Sequence, residues 1–291
     1  DINTGENVNY RETTTWYDGT AMNDAKVDGV IYIKKNSKYY RRTFDNLIST
    51  SLVKKTMVEL RAITETEILM LKMGVYKSVV LEGYFNHLDT PRSVVYSLSN
   101  STLPDNSGNI IRVGNVVFET PIFDKIPVWL FGVLPSNPPY LNSEQIEKID
   151  IPFIPLYFDG SYNFFREYVF AGNSIYGNNR EKTILNFPQS DGIVFSRNFN
   201  QEVGSPEYLK YILKKEFKNF SIRALGNPFN MLKSNVSFET IAYSTFENLD
   251  IKSNESLFYS HIPPTENNYY MYTNIFRNII CETQNAIFEN I

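Results

Sequence analysis

Three hexapeptides of one pattern, Phe217-Lys218-Asn219-Phe220-Ser221-Ile222, Phe246-Glu247-Asn248-Leu249-Asp250-Ile251 and Phe276-Arg277-Asn278-Ile279-Ile280-Cys281, recur at intervals of 29 and 30 residues. A near-constant interval of this size marks a solenoid, in which each turn of chain buries its apolar face only by stacking on the next. Within a copy, Phe217, Phe220 and Ile222 (and their equivalents) are read as pointing inward. The asparagine between them breaks the two-residue alternation of a strand and therefore marks a bend. Asn tolerates the left-handed backbone region, and its amide can bond the same residue one coil away. Asn219, Asn248 and Asn278 are accordingly expected to stack as a structural ladder. The outward position after each Phe holds Lys218, Glu247 and Arg277, an alternation of sign that suits side chains about 5 Å apart on adjacent coils.

Upstream of the repeat the grammar differs. Residues 1–50 carry short alternating runs, Gly29 to Ile33 and Lys38 to Arg42, separated by Asp18-Gly19, Asp28-Gly29 and Asn36-Ser37, which predicts hairpins. Between 53 and 73, Val53, Met57, Leu60 and Ile63 fall at helical spacing, and Tyr76 to Tyr84 reads as a strand, so residues 51–120 form a small α+β module. Asn109 to Phe118 alternates like an exposed strand after the turn at Pro104 to Gly108. Residues 121–155 are proline-rich, with a helix expected over Ser143 to Ile149 capped by Asn142 or Ser143; this is a linker and cap. Coils are expected to begin near residue 150, with residues 156–291 forming the stack. The last residues, Ala286 to Ile291, read as a strand without a terminating turn, so the coils are expected to continue beyond the sequence given.

Composition narrows function by exclusion. With 42% hydrophobic residues the chain can bury a sizeable core, and 28 basic against 32 acidic residues give no electrostatic reason for a nucleic-acid partner. No apolar run reaches the 18 residues of a membrane span, the longest being Ile126 to Leu134, so no membrane insertion is expected. Cys281 is the single cysteine and sits in an apolar run, which predicts an inert thiol. His87 and His261 lie far apart without ligand-spaced neighbours, so neither a metal site nor a cofactor is expected. The 20 Tyr and 21 Phe suit strand cores, while Tyr also favours wet contact surfaces that take sugar or protein.

The order of motifs resembles the pectate-lyase-like β-helix proteins common among bacteriophage tail spikes and appendages. Thr15-Trp16-Tyr17-Asp18-Gly19-Thr20, with Asp28 to Tyr32 and Tyr39 to Arg42, is similar to a leader found before such β-helices. Val58 to Ile63, Val80-Leu81-Glu82-Gly83-Tyr84 and Asp105 to Ile111 resemble the small module that often precedes the stack, although Asp89 here lacks the glycine run of many relatives. Val128-Trp129-Leu130-Phe131-Gly132 followed by Asn142 to Ile146 resembles the segment that closes the first coil, with Pro135-Ser136-Asn137-Pro138-Pro139 replacing the usual Gly-Asp-Gly stretch. Ile154 to Gly160 and Ile175 to Leu185 look like the first rungs. The resemblance implies a mainly β fold, a right-handed parallel β-helix preceded by small β-rich and α+β modules.

It also implies a virion protein of the tail, extracellular, homotrimeric, docked through its N-terminal part on other tail or baseplate proteins, and recognising a host surface polysaccharide. The alternative is a polysaccharide lyase or glycoside hydrolase, on a phage or secreted by a bacterium. Such chemistry needs paired carboxylates or a base beside a cation. Asp250 and Glu282 are expected to face outward on neighbouring coils and are the candidates, though solvation and charge pairing account for outward carboxylates on a solenoid; any cleft is expected in later coils.

Overall fold

A computed structural model describes residues 30–35, 38–43, 51–122, 124–149, 151, 154–169, 172–195, 211–230, 240–259, 270–272 and 274–289. The leader motif at Thr15 to Thr20 and His261 lie outside the described residues. The chain divides into two compact units.

The first unit covers residues 1–88, 92–105 and 110–120. It contains an antiparallel hairpin of β1 (Val30–Lys35) and β2 (Lys38–Thr43), with Val30 opposite Thr43. Its sheet runs β3 (Leu52–Lys54), β4 (Val79–Leu81), β5 (Val94–Ser99), β7 (Val116–Glu119), β6 (Ile110–Val113). β3 and β4 are parallel, so a crossover must join them. Two short helices supply it, α1 (Met57–Arg61) and α2 (Glu65–Lys72). The apolar spacing at 53, 57, 60 and 63 predicts one helix, but Val53 lies in β3 and the helix is cut in two. The reason is local: Thr56 caps α1, and Thr64 opens α2 with a capping box closed by Glu67. The strand expected over Tyr76 to Tyr84 is confined to Val79–Leu81. Asn109 to Phe118 is no exposed strand either. It folds back at Gly114 (φ +57°) as the hairpin β6–β7, burying Ile110, Ile111, Val116, Val117 and Phe118.

The second unit is a parallel β-helix, in which the described residues form five stacked coils. Coil 1 holds β9 (Leu156–Phe158), β10 (Ser161–Asn163) and β11 (Tyr168–Val169); coil 2 holds β12 (Ile175–Gly177), β13 (Ile184–Phe187) and β14 (Ile193–Val194). Coil 3 holds β15 (Tyr211–Leu213), β16 (Glu216–Lys218), β17 (Ser221–Ala224) and β18 (Phe229–Asn230). Coil 4 holds β19 (Thr240–Ala242), β20 (Thr245–Ser253) and β21 (Phe258–Tyr259), and coil 5 holds β22 (Tyr270–Tyr272), β23 (Ile275–Thr283) and β24 (Phe288–Glu289). Each strand pairs in parallel with its counterpart in the next coil, Phe217 with Phe246 and Phe246 with Phe276 among them. The stack starts earlier than the expected position near residue 150, because β8 (Ile126–Pro127) already pairs with β9.

Two columns of phenylalanine fill the coils. Phe217, Phe246 and Phe276 stack ring on ring at 4.9 and 5.0 Å, and Phe229 stacks on Phe258 at 5.1 Å. The columns meet edge to face, with Phe246 and Phe258 at 5.3 Å, the herringbone that the ring quadrupole favours. At the bend, Asn219, Asn248 and Asn278 have φ of 63°, 53° and 50°. Asn248 Nδ2 donates to Asn219 Oδ1 (2.9 Å) and Asn278 Nδ2 to Asn248 Oδ1 (2.7 Å). Coil 2 turns the same corner differently, through residues 177–183. There Gly177 lies so close to coil 3 that a Cβ would stand 2.1 Å from the Asn219 carbonyl oxygen, and Arg180 Nη1 reaches Asn278 Oδ1 at 3.2 Å.

The helix before the coils, α3, spans Pro139–Ile146 rather than Ser143 to Ile149, with Pro139 in its first turn. Asn142 and Ser143 do not cap it. Asn142 is buried, with Nδ2 donating to the Leu134 carbonyl (2.9 Å) and Oδ1 accepting from the Leu134 N–H (2.9 Å), while Ser143 Oγ accepts from the Phe165 N–H (3.0 Å). Their polar atoms satisfy neighbouring loops instead of the helix end.

Candidate functional site

Outward side chains of a β-helix form rows along the stack, and two of the strand rows among the described residues carry several charges each. The first contains Tyr157, Tyr176, Lys218, Glu247 and Arg277, register partners from coil 1 to coil 5. It is largely satisfied from within. Lys218 Nζ lies 2.6 Å from Glu216 Oε1 and 3.6 Å from Glu247 Oε2, and the Tyr176 hydroxyl donates to Glu216. Those two bonds hold the Glu216 carboxyl below its usual range, Lys218 acting most strongly. Partial burial and the Glu216 carboxylate push the Tyr176 phenol up to about 12.

The second row lies at the other end of the same sheet and contains Asn186, Arg223, Lys252 and Glu282, again register partners. Here the surface is recessed. A groove of about 500 Å³ crosses coils 2 to 5, a volume within the usual range of ligand clefts. One wall is this row; the other includes Leu225, Asn254 and Gln284. Between the walls lie Phe187 in coil 2 and then Ala224, Ser253 and Thr283, whose small side chains leave the space open over coils 3 to 5. The turns below are tied down by hydroxyls, Ser253 Oγ donating to the Glu255 carbonyl (2.8 Å) and Thr283 Oγ1 to the Asn285 carbonyl (3.0 Å). Leu225 is 50% exposed, an apolar surface among amides.

The register places the two candidate carboxylates diagonal to one another on neighbouring coils. Asp250 stands opposite Ile280, whereas Glu282 stands opposite Lys252, two positions along the strand. Glu282 Oε2 lies 2.8 Å from Lys252 Nζ, and that hydrogen bond holds its carboxyl below the usual range. A carboxylate so held is a poor proton donor. Among the described residues no group of His, Cys, Asp and Glu is arranged to hold a metal ion. Cys281 is half-buried, and desolvation raises its thiol, the opposite of an activated nucleophile.

Asn186, Arg223, Leu225, Asn254 and Gln284 are groove residues that motif reading passes over. The repeat itself carries the signal, since Arg223, Lys252 and Glu282 each lie six residues after the phenylalanine of their copy.

The fold defines the chain as a parallel β-helix protein. No family model matches the sequence, and no curated protein matches it. Among solved structures the chain is similar to Pantoea stewartii WceF, described as a glycan biofilm modifying enzyme with a bacteriophage tailspike-like parallel beta-helix fold. The TM-score is 0.36 with 10% identity, over 79% of this chain and 36% of that one. The chain thus spans about a third of the length of that structure.

Proposed function

We propose that this chain is part of a tail-spike-type adhesin whose β-helix recognises a surface polysaccharide of a bacterial host. The observation that carries the reading is the lateral groove. A polymer of repeating sugars needs an elongated recess with polar groups at regular intervals and an apolar surface for the C–H faces of the rings. The groove supplies both, Asn186, Arg223, Lys252 and Glu282 on successive coils and Leu225 on the wall. In this reading the N-terminal residues dock on other tail proteins, three copies assemble, and the protein works outside the cell.

The test is binding of the purified chain to a printed array of bacterial capsular and lipopolysaccharide glycans. The expected result is binding to a subset of them, lost when Asn254→Trp plugs the exposed wall while circular dichroism is unchanged. Absence of binding to every glycan, or binding indifferent to the plug, removes the reading. The chain is also expected to release no new reducing ends or unsaturated uronate from a bound glycan; release abolished by Asp250→Ala or Glu282→Ala would return those carboxylates to a catalytic role.

A further inference from the structure

Resting on that reading, we infer that the groove is built for an acidic glycan, with the Arg223 guanidinium receiving an anionic substituent of the sugar. The argument starts from the charge order of the wall. From coil 2 to coil 5 it runs amide, cation, cation, anion: Asn186, Arg223, Lys252, Glu282. The upper pair neutralises itself, Lys252 and Glu282 lying 2.8 Å apart. Arg223 is exposed and has no hydrogen-bond or ion-pair partner among the described residues. One guanidinium therefore stands uncompensated in a groove on a chain whose net charge is -4.

Its position is unfavourable for the fold alone. Like charges directly opposite on paired strands repel, and Arg223 is in register with Lys252. The electrostatic influence of Arg223 on the Lys252 ammonium is a lowering one, smaller than the opposing effects of Glu282 and Asp250. An acidic residue at 223 would extend the ion pair into a three-charge ladder, as Glu247 does for Lys218 in the other row. A guanidinium that makes no ion pair of its own among the described residues and stands in register with a like charge points to a ligand.

The surroundings specify its chemistry. The guanidinium is a planar fork that binds carboxylate or phosphate through two parallel hydrogen bonds, and it is more weakly hydrated than an ammonium. Across the groove stand Leu225, Asn254 and Gln284, none of them acidic. Asp250, the carboxylate diagonal to Arg223, pairs in register with Ser221 and forms no ion pair with it. The opposite wall thus supplies an apolar surface and amide groups, and repels no anion.

The experiment uses uronate-bearing capsular polysaccharides, each beside its carboxyl-reduced derivative, with a phosphodiester-linked polysaccharide and its dephosphorylated form as a second pair. The wild-type chain is expected to bind the acidic member of one pair about tenfold or more tightly than its neutral counterpart. The pair that shows the preference identifies carboxylate or phosphate as the group read. Arg223→Gln is expected to abolish the preference while leaving residual binding to both members, and Arg223→Lys to restore it in part, because the charge returns without the fork. Equal binding of acidic and neutral members, or a preference that survives Arg223→Gln, overturns the inference and leaves glycan binding standing. Failure to bind any member, together with a blank glycan array, overturns both.

Discussion

Asn248 adopts φ of 53°, a conformation that a side chain with a Cβ pays for unless it is Asn or Asp, and it bonds asparagines on both sides. Asn248→Ala should lose about 1–2 kcal/mol through backbone strain and the missing ladder bonds. Asn248→Gly relieves the strain alone and should be milder, so the difference in denaturation midpoints between the two variants separates backbone from ladder. Phe246 is 1% exposed between two stacked rings. Phe246→Ala should cost about 3–5 kcal/mol by urea denaturation. Glu216 gives a pH dependence of definite sign. Its folded carboxyl is held below the ordinary value of 4.5 by Lys218 first and Tyr176 second. The stabilisation is therefore present above pH 4.5 and lost as pH falls through the lower folded value. The side chain is 36% exposed, so the effect is below about 1 kcal/mol. Glu216→Gln should flatten that part of the stability profile, measured as denaturation midpoint against pH.

Elements were legible where chemistry repeats. The Phe-x-Asn copies expose coils 3 to 5 because their inward and corner positions are filled by the same residue types. Coils 1 and 2 lack the repeat, because Leu156 and Ile175 replace the aromatic and, in coil 2, residues 177–183 replace the single asparagine; only the likeness of Ile154 to Gly160 and Ile175 to Leu185 to first rungs marks them. The groove hides for another reason: its lining comes from three consecutive positions on each of four coils, and the residue types there differ from coil to coil, so no shared motif records it. Asn142 and Ser143 misled in the opposite direction, since their cap-like chemistry serves loops contributed by distant sequence. Asn142→Ala should therefore behave as the loss of a buried tertiary bridge. The buried Leu134 N–H loses its acceptor and the bonds to the Leu134 and Asn163 carbonyls go with it, at a cost of about 2 kcal/mol or more, whereas a simple cap deletion would cost about 1. Thermal unfolding of the variant distinguishes the two.

At the scale of the whole molecule, each coil depends on its neighbours, so stability should grade along the stack. Phe276 and Ile280 of coil 5 are 42% and 51% exposed, while Phe246 in coil 4 is buried. Hydrogen exchange in this 291-residue chain should be faster over residues 275–283 than over 245–253, although the two strands are the same length; equal protection would argue against the dependence of each coil on its neighbours. The proposed assembly is checked by light scattering, where three copies of a 33.7 kDa chain are expected. Removal of residues 1–50 is expected to abolish docking on the tail while sparing glycan binding.

The Phe column and the asparagine ladder have a consequence for how such a molecule changes over generations. Coils 3, 4 and 5 present nearly the same face upward as they receive from below, so a coil is interchangeable currency. Duplicating or deleting 29 or 30 residues in frame would shift everything beyond by about 5 Å along the axis and remake every ring stack and amide bond without altering one of them. Length, and with it the distance at which a surface is met, becomes a quantity that recombination can adjust in whole steps, while a single-residue insertion inside a coil is punished at once by the loss of register.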